Sequence, residues 1–292
     1  MSIVQKKVTG FDVFLVVLMT IMSAAFIYPL LNTLAISLSD ASVLLSYPVY
    51  LWPMGFSLDA YMATLMDKRT LLYYWNTISY AAVGTVLMLL CTSLTAYPLS
   101  FKDLRGRKFV TIMLTITMFF GGGMIPTYIT IMRYGMLDTF AVMVIPGYIG
   151  AYNVIVFRTF FQGQPDSLRE SAFLDGAGHF TVLFRIVLPL STAILATYAL
   201  FSIVGYWNDY MSALLYLQDS DKYPIQMLMR RLLVLLEYDN PENRTLLQEM
   251  EKVSSRTVRA AACIVTVVPI LCVYPFLQKY FAKGVLVGAI KG

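Results

Sequence analysis

The chain has 292 residues, 58% hydrophobic and 13% charged, with a formal net charge of +5. Soluble domains carry about 25% charged residues, so this balance excludes an ordinary soluble enzyme and indicates an integral membrane protein. The positive charge is no sign of nucleic-acid binding, because the basic residues sit in short clusters beside apolar runs. In chain order, Lys6 and Lys7 precede an apolar run from Phe11 to about Tyr28-Pro29-Leu30. It lacks a small-x-small cleavage site and reads as a first transmembrane helix rather than a leader. With it, six segments are long enough to cross about 30 Å of hydrocarbon. They are expected at 11–31, 75–99, 109–132, 139–157, 190–217 and 259–278.

Gly121-Gly122-Gly123 and Pro126 fall in the third of these segments, and Pro146-Gly147 in the fourth. They serve either close helix packing or a hinge beside a pathway. Cys91, Cys263 and Cys272 each lie in an apolar stretch and read as small hydrophobes, without disulfide or metal-ligand spacing.

Lysine and arginine in the short loops set the orientation. The loop 100–108 carries Lys102, Arg105, Arg107 and Lys108, whereas 133–138 carries only Arg133. The first loop is therefore expected in the cytoplasm, and with it both termini. The organisation that follows has three parts: a first helix and external loop over 1–74, a five-helix core over 75–281, and a cytoplasmic tail over 282–292. Within the core, 158–189 is an internal loop and 218–258 an external one. In the external loop, Ile225–Leu236 is too short to span and is expected to lie on the membrane surface. The stretch 243–253 is expected to form a second, more polar helix.

Chemistry for an enzyme is lacking. His179 is the only histidine, and there is no HExxH, CxxC or GxxxxGK[ST]. The spans hold almost no ionisable residue apart from Asp209, whereas ion-coupled carriers need intramembrane carboxylates or an ion cage. The energy for any transport is expected to come from another subunit.

The internal loop, with ESAFLDGAGHFTVLFRIVLP at 170–189, is the most informative stretch. Pro165 and Ser167 make a helix start, with Ser167 and Glu170 at capping-box spacing, so a short helix is expected to run from there to Leu174. Asp175-Gly176-Ala177-Gly178 turns the chain. A second amphipathic helix follows through Phe180, Leu183, Phe184 and Val187, ending where Pro189 opens the fifth span. From its residues alone this pair is equally a protein docking surface or a connector resting on lipid.

Glu170-Ser171-Ala172, then Gly176, nine residues, then Ile186-Val187-Leu188-Pro189, resembles the EAA motif of type I ABC importer permeases, with Ser171 where the motif has alanine. Gly205-Tyr206-Trp207-Asn208, Tyr223-Pro224-Ile225-Gln226 and the end of the chain from Gln278 to Gly292 look like the MalG-like carbohydrate permeases. Gly122-Gly123-Met124-Ile125-Pro126 is similar to the complex-oligosaccharide subgroup, which includes alginate, aldouronate and LplC/YtcP-type permeases. The resemblance covers nearly the whole chain.

It implies an all-α, six-helix permease of the bacterial cytoplasmic membrane that is not itself an enzyme. It implies a second homologous permease, two copies of an ABC ATPase that bind ATP and Mg, and an extracytoplasmic solute-binding protein. The chain itself needs no cofactor. The EAA loop would then dock the ATPase through Glu170, Ser171, Ala172, Asp175, Gly176, Ala177, Phe180, Ile186, Leu188 and Pro189. Glu170 would pair with a basic residue of the ATPase cleft, and Gly176 would permit the turn.

Sugars are held by aromatic faces and by the amide and carboxylate groups of Asn, Gln and Asp. Candidates for the pathway are Asn76, Tyr152, Asn153, Tyr206, Trp207, Asn208 and Asp209. The aromatic ones equally suit an interfacial belt, and Asn153 an interhelical hydrogen bond. His179 is expected to be surface filler. Two rival readings are an ABC importer of a non-sugar solute and a stand-alone carrier.

Overall fold

The computed structural model describes residues 9–44, 47–66, 68–235 and 256–272. Among them every regular element is helical, and a lone bridge pairs Ser39 with Phe56. The helices in order are α1 (Gly10–Ser37), α2 (Ala41–Leu44), α3 (Asp59–Leu65), α4 (Lys68–Ser100), α5 (Arg107–Phe119), α6 (Met124–Arg133), α7 (Phe140–Val144) and α8 (Ala151–Gln162). They continue with α9 (Asp166–Leu174), α10 (His179–Val182), a π-helical turn (Leu183–Val187), α11 (Leu188–Leu190), α12 (Thr192–Asn208), α13 (Met211–Tyr216) and α14 (Ile225–Leu235). A last helix, α15, covers 256–272.

The chain divides into two units, 1–68 with 231–268 and 69–230 with 269–292. The first is built on α1. Its capping box uses Asp12, whose carboxylate accepts the Thr9 backbone N–H at 2.8 Å. Almost all of α1 is exposed and apolar; only Ala35, Ile36 and Ser37 are buried, in a small core with Leu44, Val49 and Ala260. The Asn32 amide donates to the carbonyls of Val49 and Tyr50, which fixes the returning loop on the helix end.

The second unit is strung along α4, the one long, straight, half-buried helix. Two cores form at its ends. One gathers Tyr80, Ile131, Val142, Met143, Val144, Ala213, Tyr216, Leu217 and Met227. The other gathers Ala96, Tyr97, Leu99, Val154, Phe157, Phe161, Val182, Leu183, Val187 and Ile194. At a rise of about 1.5 Å per residue, they lie roughly 24 Å apart along α4. Between them α4 presents small and hydroxyl-bearing residues, Gly84, Thr85, Thr92 and Ser93, that allow close approach. A Cβ on Gly84 would sit 2.2 Å from the Tyr206 ring, so glycine there is what lets α12 pack.

Three of the expected spans are broken. The stretch 109–132 is not one helix: α5 and α6 meet at 114° across Phe120–Gly123. Gly123 has φ +83 and nothing lies within 4 Å of a Cβ built on Gly121 or Gly123, so these glycines bend the chain rather than pack a helix within it. The stretch 139–157 is split into α7 and α8 at Pro146-Gly147, because proline supplies no N–H to continue the helix. The stretch 190–217 is split at Asp209, and its start turns by 81° from the preceding helical run, His179–Leu190. Among the described residues, α1 and α4 qualify as straight spans, and each bent pair can supply one more. The expected polar helix at 243–253 and the tail 282–292 lie outside the described residues, and so does the end of the sixth span beyond 272.

Candidate functional site

The expected helix–turn–helix of the internal loop is present. α9 begins one residue before Ser167, with Pro165 at the N-cap position, so Ser167 does not cap it. Proline pre-sets the φ needed at a helix start and Asp166 complements the helix dipole, which together replace the side-chain cap. The helix ends at Leu174 as its sequence indicates. Gly176 takes φ +81. The Ala177 N–H donates to the Ala172 carbonyl at 2.9 Å and the Gly176 N–H to the Phe173 carbonyl at 3.0 Å. This is a Schellman closure, in which glycine adopts the left-handed conformation without a Cβ clash. Ala172 and Ala177, the two residues it brings together, both pack against the inner core.

The second arm runs past Pro189 to Leu190, so Pro189 lies within the helical run and the break falls at Ser191. Pro189 has no N–H to offer the turn before it, and the turn there is π-helical. The Val187 carbonyl accepts from the Ser191 hydroxyl at 2.6 Å and from the Gln164 amide at 3.2 Å. Ser191 is fully buried, and the same Gln164 amide reaches its Oγ at 2.8 Å. This polar knot fixes the angle at which the hairpin leaves the helix bundle.

A residue that sequence reasoning passed over holds the hairpin down. Arg169 is only 4% exposed. It donates to the Ser100 hydroxyl at 3.2 Å and to the Phe161 carbonyl, and its guanidinium lies 5.5 Å from the Phe101 ring centroid. Asp166 stands at 3.9 Å. The available signal was spacing: Arg169 shares a helix face with Ala172 and Phe173, the inward side of α9. His179 is exposed, as a surface residue of the loop is expected to be, and it also makes contacts. Its ring packs edge-on against Phe173 at 4.9 Å and Phe101 at 5.6 Å, and its Nδ1 lies 3.4 Å from the Tyr97 hydroxyl.

The outward face is the reverse of this. Glu170, Ser171, Asp175 and Pro189 are exposed, and Glu170 makes no ion pair among the described residues. Leu174 is 89% exposed and Phe180 72%, with Leu168 and Phe184 also open. Leu174, the most exposed apolar side chain of the loop, was absent from the sequence-derived set. Of that set, Ala172, Ala177, Ile186 and Leu188 are turned partly inward.

The pathway candidates are not brought together as a group. Asn76 is a clasp: its amide donates to the carbonyls of Asp221 at 2.7 Å and Tyr223 at 3.1 Å. Tyr206 is wedged against Gly84. Trp207 is buried beside Tyr74, with ring centroids 6.1 Å apart. Asp209 accepts the Ser212 N–H at 3.0 Å where α13 begins. Tyr152 and Asn208 remain exposed, Asn208 within 3.4 Å of the Gln226 amide, and Asn153 is half-buried beside Gly150.

At the other end of the unit a second clasp holds the loop 217–225. Asp138, at φ 55, accepts the N–H groups of Gln218 and Asp219 and the Lys222 ammonium at 2.7 Å. The Lys222 hydrogen bond, then the backbone ones, pull the Asp138 carboxyl down to about 2. Tyr80 donates to the Lys222 carbonyl, and the Thr77 hydroxyl accepts the Ile225 N–H at 2.8 Å. Ile225, Met227 and Leu228 are therefore buried against protein, so α14 is more than a helix resting on lipid.

Residues 10–287 match the family model for the binding-protein-dependent transport system inner membrane component, and the chain belongs to that family. It is thus a multi-pass inner-membrane transport subunit rather than an enzyme. It is 37% identical over 282 residues to Protein LplC of Bacillus subtilis (strain 168), covering 97% of this chain and 95% of that one. It is 38% identical over 288 residues to the polygalacturonan/rhamnogalacturonan transport system permease protein YtcP of the same organism, covering 97% and 98%. Its fold matches a chain in the crystal structure of a bacterial ABC transporter involved in the import of the acidic polysaccharide alginate. The TM-score is 0.87 and the identity 31%, over 93% of this chain and 96% of that one.

Proposed function

We propose that the chain forms half of the translocation pathway of an ATP-driven oligosaccharide importer and couples to a separate ATPase through the hairpin 166–190. The observation that carries this reading is the hairpin's division of labour. Arg169 and the Ser191 knot fix it from within, while Leu174 and Phe180 stand almost bare beside Glu170, which makes no ion pair among the described residues. A surface that large and apolar on a rigid mount fits a protein cleft better than solvent.

In this reading six spans cross the membrane with both termini and the loop 100–108 inside. The bent pair α5–α6 is one interrupted crossing, and α12 with α13, beyond the hairpin, is another. A second, homologous permease completes the pathway, two copies of the ATPase hydrolyse ATP, and a solute-binding protein delivers substrate from outside. ATP-driven closure of the ATPases draws the hairpins of the two permeases together and switches the access of the pathway. Each hairpin transmits that displacement as a lever, because its base is buried and hydrogen-bonded. The exposed Tyr152 and Asn208 are the remaining candidates from this chain for contact with the sugar.

The names of YtcP and of the alginate importer support an oligosaccharide, and acidic fragments of such polysaccharides are the first to try. The test is to express the chain with its neighbouring genes, purify it, and assay ATP hydrolysis in lipid nanodiscs with the binding protein and candidate oligosaccharides. Co-purification of a second permease and an ATPase, with hydrolysis stimulated by one loaded binding protein, is the expected result. A chain that purifies without an ATPase, and that transports in cells lacking the candidate ATPases, overturns it in favour of a stand-alone carrier.

A further inference from the structure

We propose that the inner end of α5 carries a binding site for an anionic phosphate group, and that its occupant is an acidic phospholipid headgroup. A cleft of about 490 Å³ opens there, lined by Lys102, Arg107, Lys108 and Arg158 together with Leu104, Thr111 and Ile112. Loop charge alone accounts for the first three, since lysine and arginine gather beside membrane spans. It does not account for Arg158, which comes from a different helix, α8, and enters the same cleft.

Among the described residues neither arginine meets a carboxylate. Arg107 donates its Nε–H to the Leu99 carbonyl at 3.1 Å, and Arg158 donates from Nη1 to the Thr111 hydroxyl at 3.0 Å. Both acceptors are uncharged, and the Arg158 Nε is buried without an acceptor. Among the described residues no carboxylate forms an ion pair with any of the four cations. Two half-buried guanidiniums anchored by neutral oxygens, with like charge beside them, call for an anion. A guanidinium's planar fork suits phosphate oxygens, and basic pockets between membrane helices hold acidic headgroups.

The same surface continues into apolar side chains. Ile112 lines the cleft and is exposed, and Phe109, Ile116 and Phe119 are exposed along α5, which buries no residue at all. Phosphate at one end and a greasy helix face beyond it match a lipid rather than a free anion. The phosphate chemistry rests on the cleft alone; only the assignment to the cytoplasmic leaflet rests on the proposed orientation.

The test uses the intact importer in mixed micelles, titrated with phosphatidylglycerol, phosphatidylcholine or inorganic phosphate and read by native mass spectrometry. Phosphatidylglycerol should be retained in preference to phosphatidylcholine. Arg107→Gln with Arg158→Gln should weaken that retention by about tenfold or more, because each cation near an acidic headgroup contributes on the order of 1 kcal/mol. If that pair fails to assemble, Lys102→Gln with Lys108→Gln, at two exposed positions, should weaken it in the same direction. Equal retention of the two lipids, or of phosphatidylglycerol by wild type and variant, overturns the site. Binding of inorganic phosphate with no preference for phosphatidylglycerol overturns the lipid assignment. Co-purification of the ATPase, scored in the same samples, reports separately on the proposed coupling role.

Discussion

The hairpin 166–190 and the loop 217–225 are both returns of the chain packed against α4, yet they are finished in opposite ways. The loop satisfies itself: Asp138, Lys222, Asn76, Tyr80 and Thr77 hold its backbone, and Ile225, Met227 and Leu228 go inward. The hairpin is held as firmly on one side but leaves Leu174 and Phe180 outside. The difference separates fixing a segment from burying it. Polar anchors set the position of both; only the loop also covers its apolar face.

Removing the hairpin's buried anchor is the harshest way to break this contrast. Arg169→Met should remove the Arg169 donor from the Ser100 hydroxyl and from the Phe161 carbonyl, which keeps only the Gln164 N–H at 3.3 Å, and lower stability by about 2–4 kcal/mol. Thermal melting of the purified complex would show it, with the ATPase dissociating at lower temperature. Melting at the wild-type temperature would mean the hairpin is not mounted through Arg169. Gly84→Ala tests the helix contact between the two ends. Its Cβ must displace the Tyr206 ring, at about 1–3 kcal/mol, and Tyr206→Ala in the same chain should restore most of the loss.

Changes on the hairpin's outer face should do the reverse, sparing stability and abolishing association. Leu174→Asp or Phe180→Asp should weaken capture of the ATPase by about 2 kcal/mol, the scale of an interface hot spot, with melting of the permease pair unchanged. Glu170→Lys should leave hydrolysis running while uncoupling it from transport; transport at the wild-type rate would remove Glu170 from the contact.

The smallest effect belongs to the loop. Asp138 has its carboxyl lowered from 3.8 to about 2, chiefly by the Lys222 hydrogen bond. Because the folded value lies below the unfolded one, its contribution is fully present above about pH 4. It is lost as pH falls through 2. Asp138→Asn should therefore melt below wild type at pH 7, and the gap should close between pH 4 and pH 2. A gap independent of pH would assign the effect to the backbone hydrogen bonds instead.

Much of the site was legible because it rests on local chemistry. Gly176 after Leu174-Asp175 forecasts a left-handed turn, since only a residue without Cβ takes that conformation freely. The helix end followed from it. Pro165 marked the start as well, but Ser167 does not cap it, because the proline itself takes the N-cap position and Asp166 opens the helix. Arg169 was missed for a different reason. Charge normally marks the exposed face, and here it marks the buried one because Ser100, Phe101 and Phe161 wait there to receive it.

The sequence by itself determined what depends on composition and short-range pattern: a helical membrane protein, its apolar segments, the basic loop 100–108, and the spacing that places it in its family. Only the tertiary structure decided which apolar segments bend, because a break at Gly121–Gly123 or Pro146-Gly147 is tolerated or straightened by what packs beside it. It also gave Asn76, Trp207 and Asp209 partners within the chain: the carbonyls of Asp221 and Tyr223, the Tyr74 ring, and the Ser212 N–H. Spacing along a chain fixes which groups share a helix face. Contact between distant segments fixes which of those groups are already satisfied, and so which remain to meet a partner.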